Sequence, residues 1–375
     1  MINSFRGVLA LVMMGHVLQE ITGQCQSSTS GFTGCECNIL GACDEHGKPL
    51  PGLDKKLTGY SPSGLEQFGS FVQQKQNLAY LCESGAVAIL FDCENRTPVY
   101  AATVMNKRQL NAGYMRPNIQ FKQSSSLKKQ DQPKARDYKH SSKVKICVKQ
   151  KPKPADRFID RIWYKALNLG KAILPGKRCL TINEKNDKLT TAIHKGHLIA
   201  AAYGRGNKAR ITATFKYTNT VPQFGVINSG LWNRKEQSLV KWGRENCANL
   251  KGGTTENVRM HIIVGVIPST NPKVSDGPRF FGSEGFSEYR GDDYLINVPS
   301  VMWTAACCTF QFKDNSGNVN QLTRHTFFAI ENDPKAVDNL PRDHVLFFRK
   351  YISQHIYLFP AQRDCNNNAN YIQLY

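Results

Sequence analysis

Acidic residues are the scarce class in this chain: 29 Asp and Glu stand against 49 Lys and Arg over 375 residues, a formal net charge of +20. An imbalance of this size costs self-repulsion and favours a polyanionic partner: nucleic acid, an anionic glycan or an acidic membrane surface. Long apolar runs are also missing. The run from Gly7 to Val17 is too short to span a bilayer and none later is longer, so no membrane partner is expected. The paired CxxC motifs and partner histidines of zinc modules are absent, as is any internal repeat. An apolar content of 41% and a charged content of 21% exclude a disordered chain.

What is present points to export. Arg6, the apolar run behind it and the small residue Gly23 have the order of a secretory signal, assigned to residues 1–23. All 12 cysteines follow it, and an even number spread over an exported chain is read as disulfides. Zinc binding by Cys35-Glu36-Cys37 is the competing reading. Asn95-Arg96-Thr97 is a glycosylation sequon that suits the same compartment, with Asn95 as acceptor. The expected location is extracellular, and no stable protein partner is implied.

Residues 24–60 form a Cys- and Gly-rich extension, and residues 61–375 form the main domain. Within it, Leu78 to Cys82, Ala86 to Phe91 and Pro98 to Met105 predict a strand meander. Met260 to Ile267, Leu295 to Trp303, Thr309 to Phe312 and Thr326 to Ala329 predict further strands. Arg157 to Ala172, Lys335 to Leu340 and Asp343 to Ile356 predict helices. Strands and helices are mixed without regular alternation, so the fold class is α+β with a mixed or antiparallel sheet core. Residues 122–178 stand apart, with 17 Lys or Arg against 4 Asp, a net of +13. This basic insertion is suited to neutralising phosphates.

The chemistry concentrates in His194-Lys195-Gly196-His197 and in Asn219, Gln223, Asn228, Trp232 and Glu236. Phosphodiester hydrolysis needs a base for water, an electrophile to stabilise developing charge and a means of protonating the leaving oxygen. His197 suits the base, since a neutral imidazole is competent at physiological pH. A hard cation such as Mg²⁺ takes oxygen ligands and keeps several waters, so one amide oxygen, from Asn228, suffices as an anchor. Asn228, Trp232 and Glu236, spaced by four, fall along one helix stripe. Eight residues rise about 12 Å, too far for Asn228 and Glu236 both to ligate one ion directly. Trp232 between them reads as core.

The text HKGHLIAAAYGRGNKARITATFKYTNTVPQFGVINSGLWNRKE resembles the signature of the DNA/RNA non-specific endonucleases of the ββα-metal (His-Me finger) class. That signature is DRGHL, a strand with (S/T)N and PQ, then N-x-x-x-W with Glu four residues on. Pro98-Val99-Tyr100 and VPSVMWTAACC extend the resemblance, which is to the extracellular endonuclease-domain-containing-1 branch and runs from about Asn77 to the C-terminus. It implies His197 as general base, Asn228 as direct Mg²⁺ ligand (Mn²⁺ or Ca²⁺ in its place) and Glu236 as a water-mediated metal contact. It implies a catalytic-site role for Asn219 and substrate contacts from Lys195, Arg116 and Gln223. It implies DNA and RNA as substrates, cut with little sequence preference to leave 5′-phosphate ends.

The chain departs from the signature at His194-Lys195, where the family has Asp-Arg. Lysine keeps the charge but loses the bidentate fork, and His194 is read as unable to replace a carboxylate as a fixed acceptor. These substitutions motivate a second reading, a weak or inactive polyanion-binding protein on the same fold, with nucleic acid or a heparin-like glycan as ligand.

Overall fold

The computed structural model describes residues 32, 34, 35, 39, 78–93, 95–129, 132–133, 143–147, 179–183, 193–269, 280–282, 296–333, 340, 343–352, 358–359 and 363–366. The signal at 1–23, the helix at 157–172 and the segment 335–339 lie outside these residues, as does most of the extension and of the basic insertion. Along the chain run β1 (Leu78–Glu83), β2 (Val87–Asp92), β3 (Thr97–Asn106), α1 (Lys107–Asn111), β4 (Lys143–Cys147), β5 (Cys179–Asn183) and β6 (Ile193–His197). There follow α2 (Lys208–Thr214), β7 (Thr220–Phe224), α3 (Asn233–Gly243), β8 (Gly253–Ile267), β9 (Phe280–Gly282) and β10 (Ile296–Asn297). The last elements are β11 (Val301–Asp314), β12 (Val319–Glu331) and α4 (His344–Ile352).

The main sheet has six antiparallel strands in the order β1-β2-β3-β8-β11-β12. Both of its faces are covered, which is why its strands read as continuous apolar runs rather than alternating ones. On β11, Met302, Ala306, Cys308 and Phe310 enter one core, while Val301, Trp303, Ala305 and Cys307 enter the other. Period-2 geometry sends successive side chains to opposite faces. The adjacent cysteines accordingly diverge, Cys308 bonding Cys247 in the first layer and Cys307 bonding Cys365 in the second. The first layer holds β6, β7 and α3; the second holds α4 and part of the extension. Phe32 packs edge-on against Tyr80, Cys35 bonds Cys82, and the Ile39 carbonyl accepts from His261 Nδ1 at 3.0 Å. The described residues of the Cys-rich extension are thus stapled onto the sheet.

Two local expectations are corrected. Thr309–Phe312 and Thr326–Ala329 are not separate short strands but parts of β11 and β12, whose ends carry polar residues beyond the buried stretch. A register shift between Thr309 and Gln311 interrupts the pattern there. The run from Leu295 to Trp303 is not one strand either: Ile296–Asn297 pairs with β9 and β11 starts at Val301. Pro299, which has no N–H to give a ladder, sits at the break. Within the basic insertion, β4 pairs with both β5 and β9 and sets Cys147 opposite Cys179. Asn95 is buried in the turn between β2 and β3, its Nδ2 donating to Asp92 Oδ2 at 2.7 Å.

Gly265 lies opposite Trp303, and a Cβ there would come within 2.3 Å of the indole. Gly265→Ala is expected to cost about 1–3 kcal/mol by overpacking, seen as a lower denaturation midpoint with an unchanged slope. Burial also holds the His261 imidazole down to about 4, with Arg259 adding to the effect against the Ile39 carbonyl. Burial, with His344 beside it, does the same for His325, again to about 4. A folded-state value below the ordinary 6.5 makes the unfolded chain the stronger proton binder between the two. Stability is therefore complete above pH 6.5 and falls as pH drops toward 4. Thermal melts between pH 7.5 and 4.5 should show this decline, and His261→Gln should reduce it.

Candidate active site

β6 and β7 form a two-stranded antiparallel hairpin with Gly196 opposite Val221 and His194 opposite Gln223. Gly196 is required by close approach: a Cβ there would stand 2.0 Å from Gln223 Cδ. The Gln223 side chain fills the place a larger residue would take, and it is fully buried. Lys195 and His197, two apart on the strand, both reach a cavity of about 330 Å³. Its other lining side chains include Tyr114, Arg116, Asn228, Asn233 and Glu236.

His197 is wedged between two phenyl rings, Phe121 at 4.7 Å and Phe215 at 4.8 Å edge-on. Both rings are fixed by backbone: Lys122 N–H donates to the Phe215 carbonyl at 3.0 Å, and Tyr217 N–H to the Lys122 carbonyl at 2.9 Å. The same pair of bonds ties the segment that follows Arg116 to residues 215–217, which lead into β7. Burial in this wedge, together with the positive charges of Arg116 and Lys195, lowers the imidazole to about 3. The ring is therefore neutral at physiological pH. Lys195, with its ammonium 5.3 Å from the Phe121 ring centre, is itself lowered by burial.

Asn219 acts behind the cavity. Its Oδ1 accepts from Ile199 N–H at 3.0 Å, and its Nδ2 donates to the carbonyls of Ile199 at 3.0 Å and Thr214 at 2.9 Å. Its own carbonyl accepts from Leu198 N–H at 3.0 Å. These bonds clamp the two residues after His197 and so fix where the imidazole points. Neither Asn219 nor Gln223 lines the cavity.

Asn228 and Glu236 do line it, by a route the helix stripe does not describe. Residues Ile227–Trp232 form a π-helical turn kinked at Gly230, and the regular helix α3 begins only at Asn233. A wide turn of this kind changes the angular offset between residues before and after it. Trp232 is core, as expected, packed on Phe328 at 5.5 Å. Enclosure raises the Glu236 carboxyl to about 8, against the opposing effects of the Trp232 indole and the Arg116 charge. His194, read as unable to replace the carboxylate, places its Nδ1 3.3 Å from Asn228 Nδ2.

The structure thus brings together five of the residues singled out in the sequence: Arg116, Lys195, His197, Asn228 and Glu236. Sequence reasoning missed Tyr114, whose ring faces the Arg205 guanidinium at 5.6 Å, and the Phe121–Phe215 wedge. Aromatics interleaved with basic residues in GYMRPNIQF and TATFKY were the available signal. Among the described residues, no group of three or more His, Cys, Asp or Glu is placed to hold an ion. The oxygen donors lining the cavity include the amides of Asn228 and Asn233, the Ser229 hydroxyl and the Glu236 carboxyl. That set fits a hard divalent cation that keeps most of its shell as water.

The chain matches the family model described as DNA/RNA non-specific endonuclease over residues 66–342. No curated protein matches it. Among solved structures it is similar to a chain of the crystal structure of the EndoG/EndoGI complex, solved for the mechanism of EndoG inhibition. That likeness has 13% identity and a TM-score of 0.45, and covers 83% of this chain and 96% of that one. It is too distant to bear on chemistry, but the family match spans most of the chain. With its antiparallel α+β fold and ββα hairpin, this protein belongs to the DNA/RNA non-specific endonuclease family.

Proposed function

We propose that the protein is an exported, divalent-cation-dependent endonuclease that hydrolyses phosphodiester bonds in DNA and RNA, with His197 as general base. The observation that carries this reading is a neutral imidazole, held between two rings, sharing one cavity with two cations and with the oxygen-bearing side chains of Asn228 and Glu236. The phosphate enters between Arg116 and Lys195. Its negative charge offsets the two positive charges that depress His197, so the base strengthens when substrate is present. His197 takes the proton from the attacking water, and the same cations stabilise charge on the phosphorane.

Asn228 and Glu236 would hold the cation, Mg²⁺ or Mn²⁺ by its oxygen donors. When bound, it supplies Lewis-acid stabilisation of phosphoryl charge and of the leaving oxygen. Asn219 positions His197 through the Leu198–Ile199 backbone, a supporting role rather than contact with substrate. Gln223 supports Gly196 in the same way. Attack that expels the 3′-oxygen leaves 5′-phosphate ends. The basic insertion would contribute sequence-independent phosphate contacts. The disulfides Cys35–Cys82, Cys247–Cys308 and Cys307–Cys365 support an oxidising compartment and hence export.

The test is incubation of the purified protein with plasmid DNA and with RNA, with Mg²⁺ or with EDTA. Cleavage of both substrates in Mg²⁺ alone is expected, and His197→Ala should lower the rate by on the order of 10²–10⁴. Binding of either polymer without cation-dependent cleavage would favour the polyanion-binding reading instead.

A pH dependence follows from Glu236. Its carboxyl keeps a proton up to about pH 8 in the cation-free site, and gives it up to help hold a cation. Cation affinity, measured by titration calorimetry without nucleic acid, should therefore rise from pH 6 to 8, by up to about tenfold per unit. Glu236→Gln should weaken binding and flatten the slope. An affinity independent of pH in the wild type would remove Glu236 from the cation site.

A further inference from the structure

We propose that His194 is a positioning residue that sets which end of the Asn228 amide faces the cavity. The inference rests on the reading of Asn228 as the residue that holds the cation. An asparagine amide presents an oxygen acceptor on one side and an NH₂ donor on the other, and the two ends exchange when the side chain turns over. Only the oxygen can meet a cation. Something must therefore select the productive orientation, and a lone side chain on a helical turn does not select it by shape.

His194 Nδ1 stands 3.3 Å from Asn228 Nδ2. The Asn228 NH₂ donates to Nδ1, and the imidazole then carries its proton on Nε2. With Nδ2 engaged outside the cavity, Oδ1 is left to face the space that Asn228 lines with Lys195, His197 and Glu236. The hairpin makes the contact specific. His194 sits opposite the fully buried Gln223, so its backbone is anchored, while the side chain keeps partial exposure and room to reach the π turn.

This gives the departure from Asp at position 194 a physical meaning. Imidazole preserves the acceptor that an amide NH₂ needs, but without a negative charge beside the cation. The site keeps its orientation device and loses a favourable charge. Cation binding in this chain is accordingly more dependent on Asn228 and Glu236 than it would be with a carboxylate at 194.

The experiment is titration of the purified full chain with Mn²⁺, without nucleic acid, following heat and the Mn²⁺ electron-spin signal. His194→Ala should weaken Mn²⁺ binding by about tenfold, in the range typical for partners that orient a ligand. His194→Gln, which keeps an acceptor oxygen, should bind close to wild type. His194→Asp is a poor control because its charge strengthens binding whatever the amide does. In Asn228→Asp, where both side-chain oxygens are equivalent, adding His194→Ala should cost nothing more. Wild-type affinity in His194→Ala would overturn the inference. So would an equal loss on adding His194→Ala to Asn228→Asp, since a purely structural role predicts that result. If Asn228→Ala binds Mn²⁺ as the wild type does, the cation assignment itself fails. If Asn228→Ala loses binding and His194→Ala does not, only the present inference fails. Melting curves in EDTA for every variant separate lost binding from lost folding, and the Gln variant keeps the question answerable should the Ala variant unfold.

Discussion

The burial of one imidazole is the constraint around which this structure is arranged. His197 lies between Phe121 and Phe215 with Arg116 and Lys195 close by, and desolvation and like charge both disfavour its protonated form. The ring is held neutral, and weakly basic. In the proposed reaction an anion placed between the two cations restores its basicity. Base strength would thereby be tied to occupancy by phosphate, which the chain's surplus of positive charge would concentrate.

Holding the imidazole there requires a rigid support. The six-stranded sheet supplies it, packed on both faces and stapled to its flanking layers by disulfides that leave β11 in opposite directions. The β6–β7 hairpin lies on one face. Gly196 lets the Gln223 side chain fill in behind it, and Asn219 clamps Leu198 and Ile199 with three hydrogen bonds and reaches the Thr214 carbonyl with a fourth. These residues touch no substrate in the proposed reaction. Their work is to leave the imidazole one orientation.

Much of the site was legible because its chemistry depends on local spacing. Gly196-His197, Asn228 and Glu236 stand out in the chain, and one cavity collects His197, Asn228 and Glu236. The meander and the buried run of β8 were legible for a similar reason, since two-sided burial leaves uninterrupted apolar text. What escaped was tertiary. A stripe at four-residue spacing assumes a regular helix, and the π turn kinked at Gly230 breaks that assumption. The contact of His194 with Asn228 joins residues 34 apart, and no local pattern announces it. Asn219 and Gln223 were read as facing the chemistry because they fall within the motif, yet folding turns them inward. The Phe121 wedge depends on a bridge between Lys122 and Lys216, remote positions that only the fold makes neighbours.

The charge state of His197 decides between a substrate-activated base and an ordinary histidine, and nuclear magnetic resonance of the isotope-labelled imidazole reads it directly. In the free protein the ring should remain neutral from pH 8 down to below pH 4, consistent with its value of about 3. Adding a non-hydrolysable phosphorothioate oligonucleotide should move its titration upward. A ring that titrates near its ordinary 6.5 in the free protein, or that ignores the bound anion, would contradict the account.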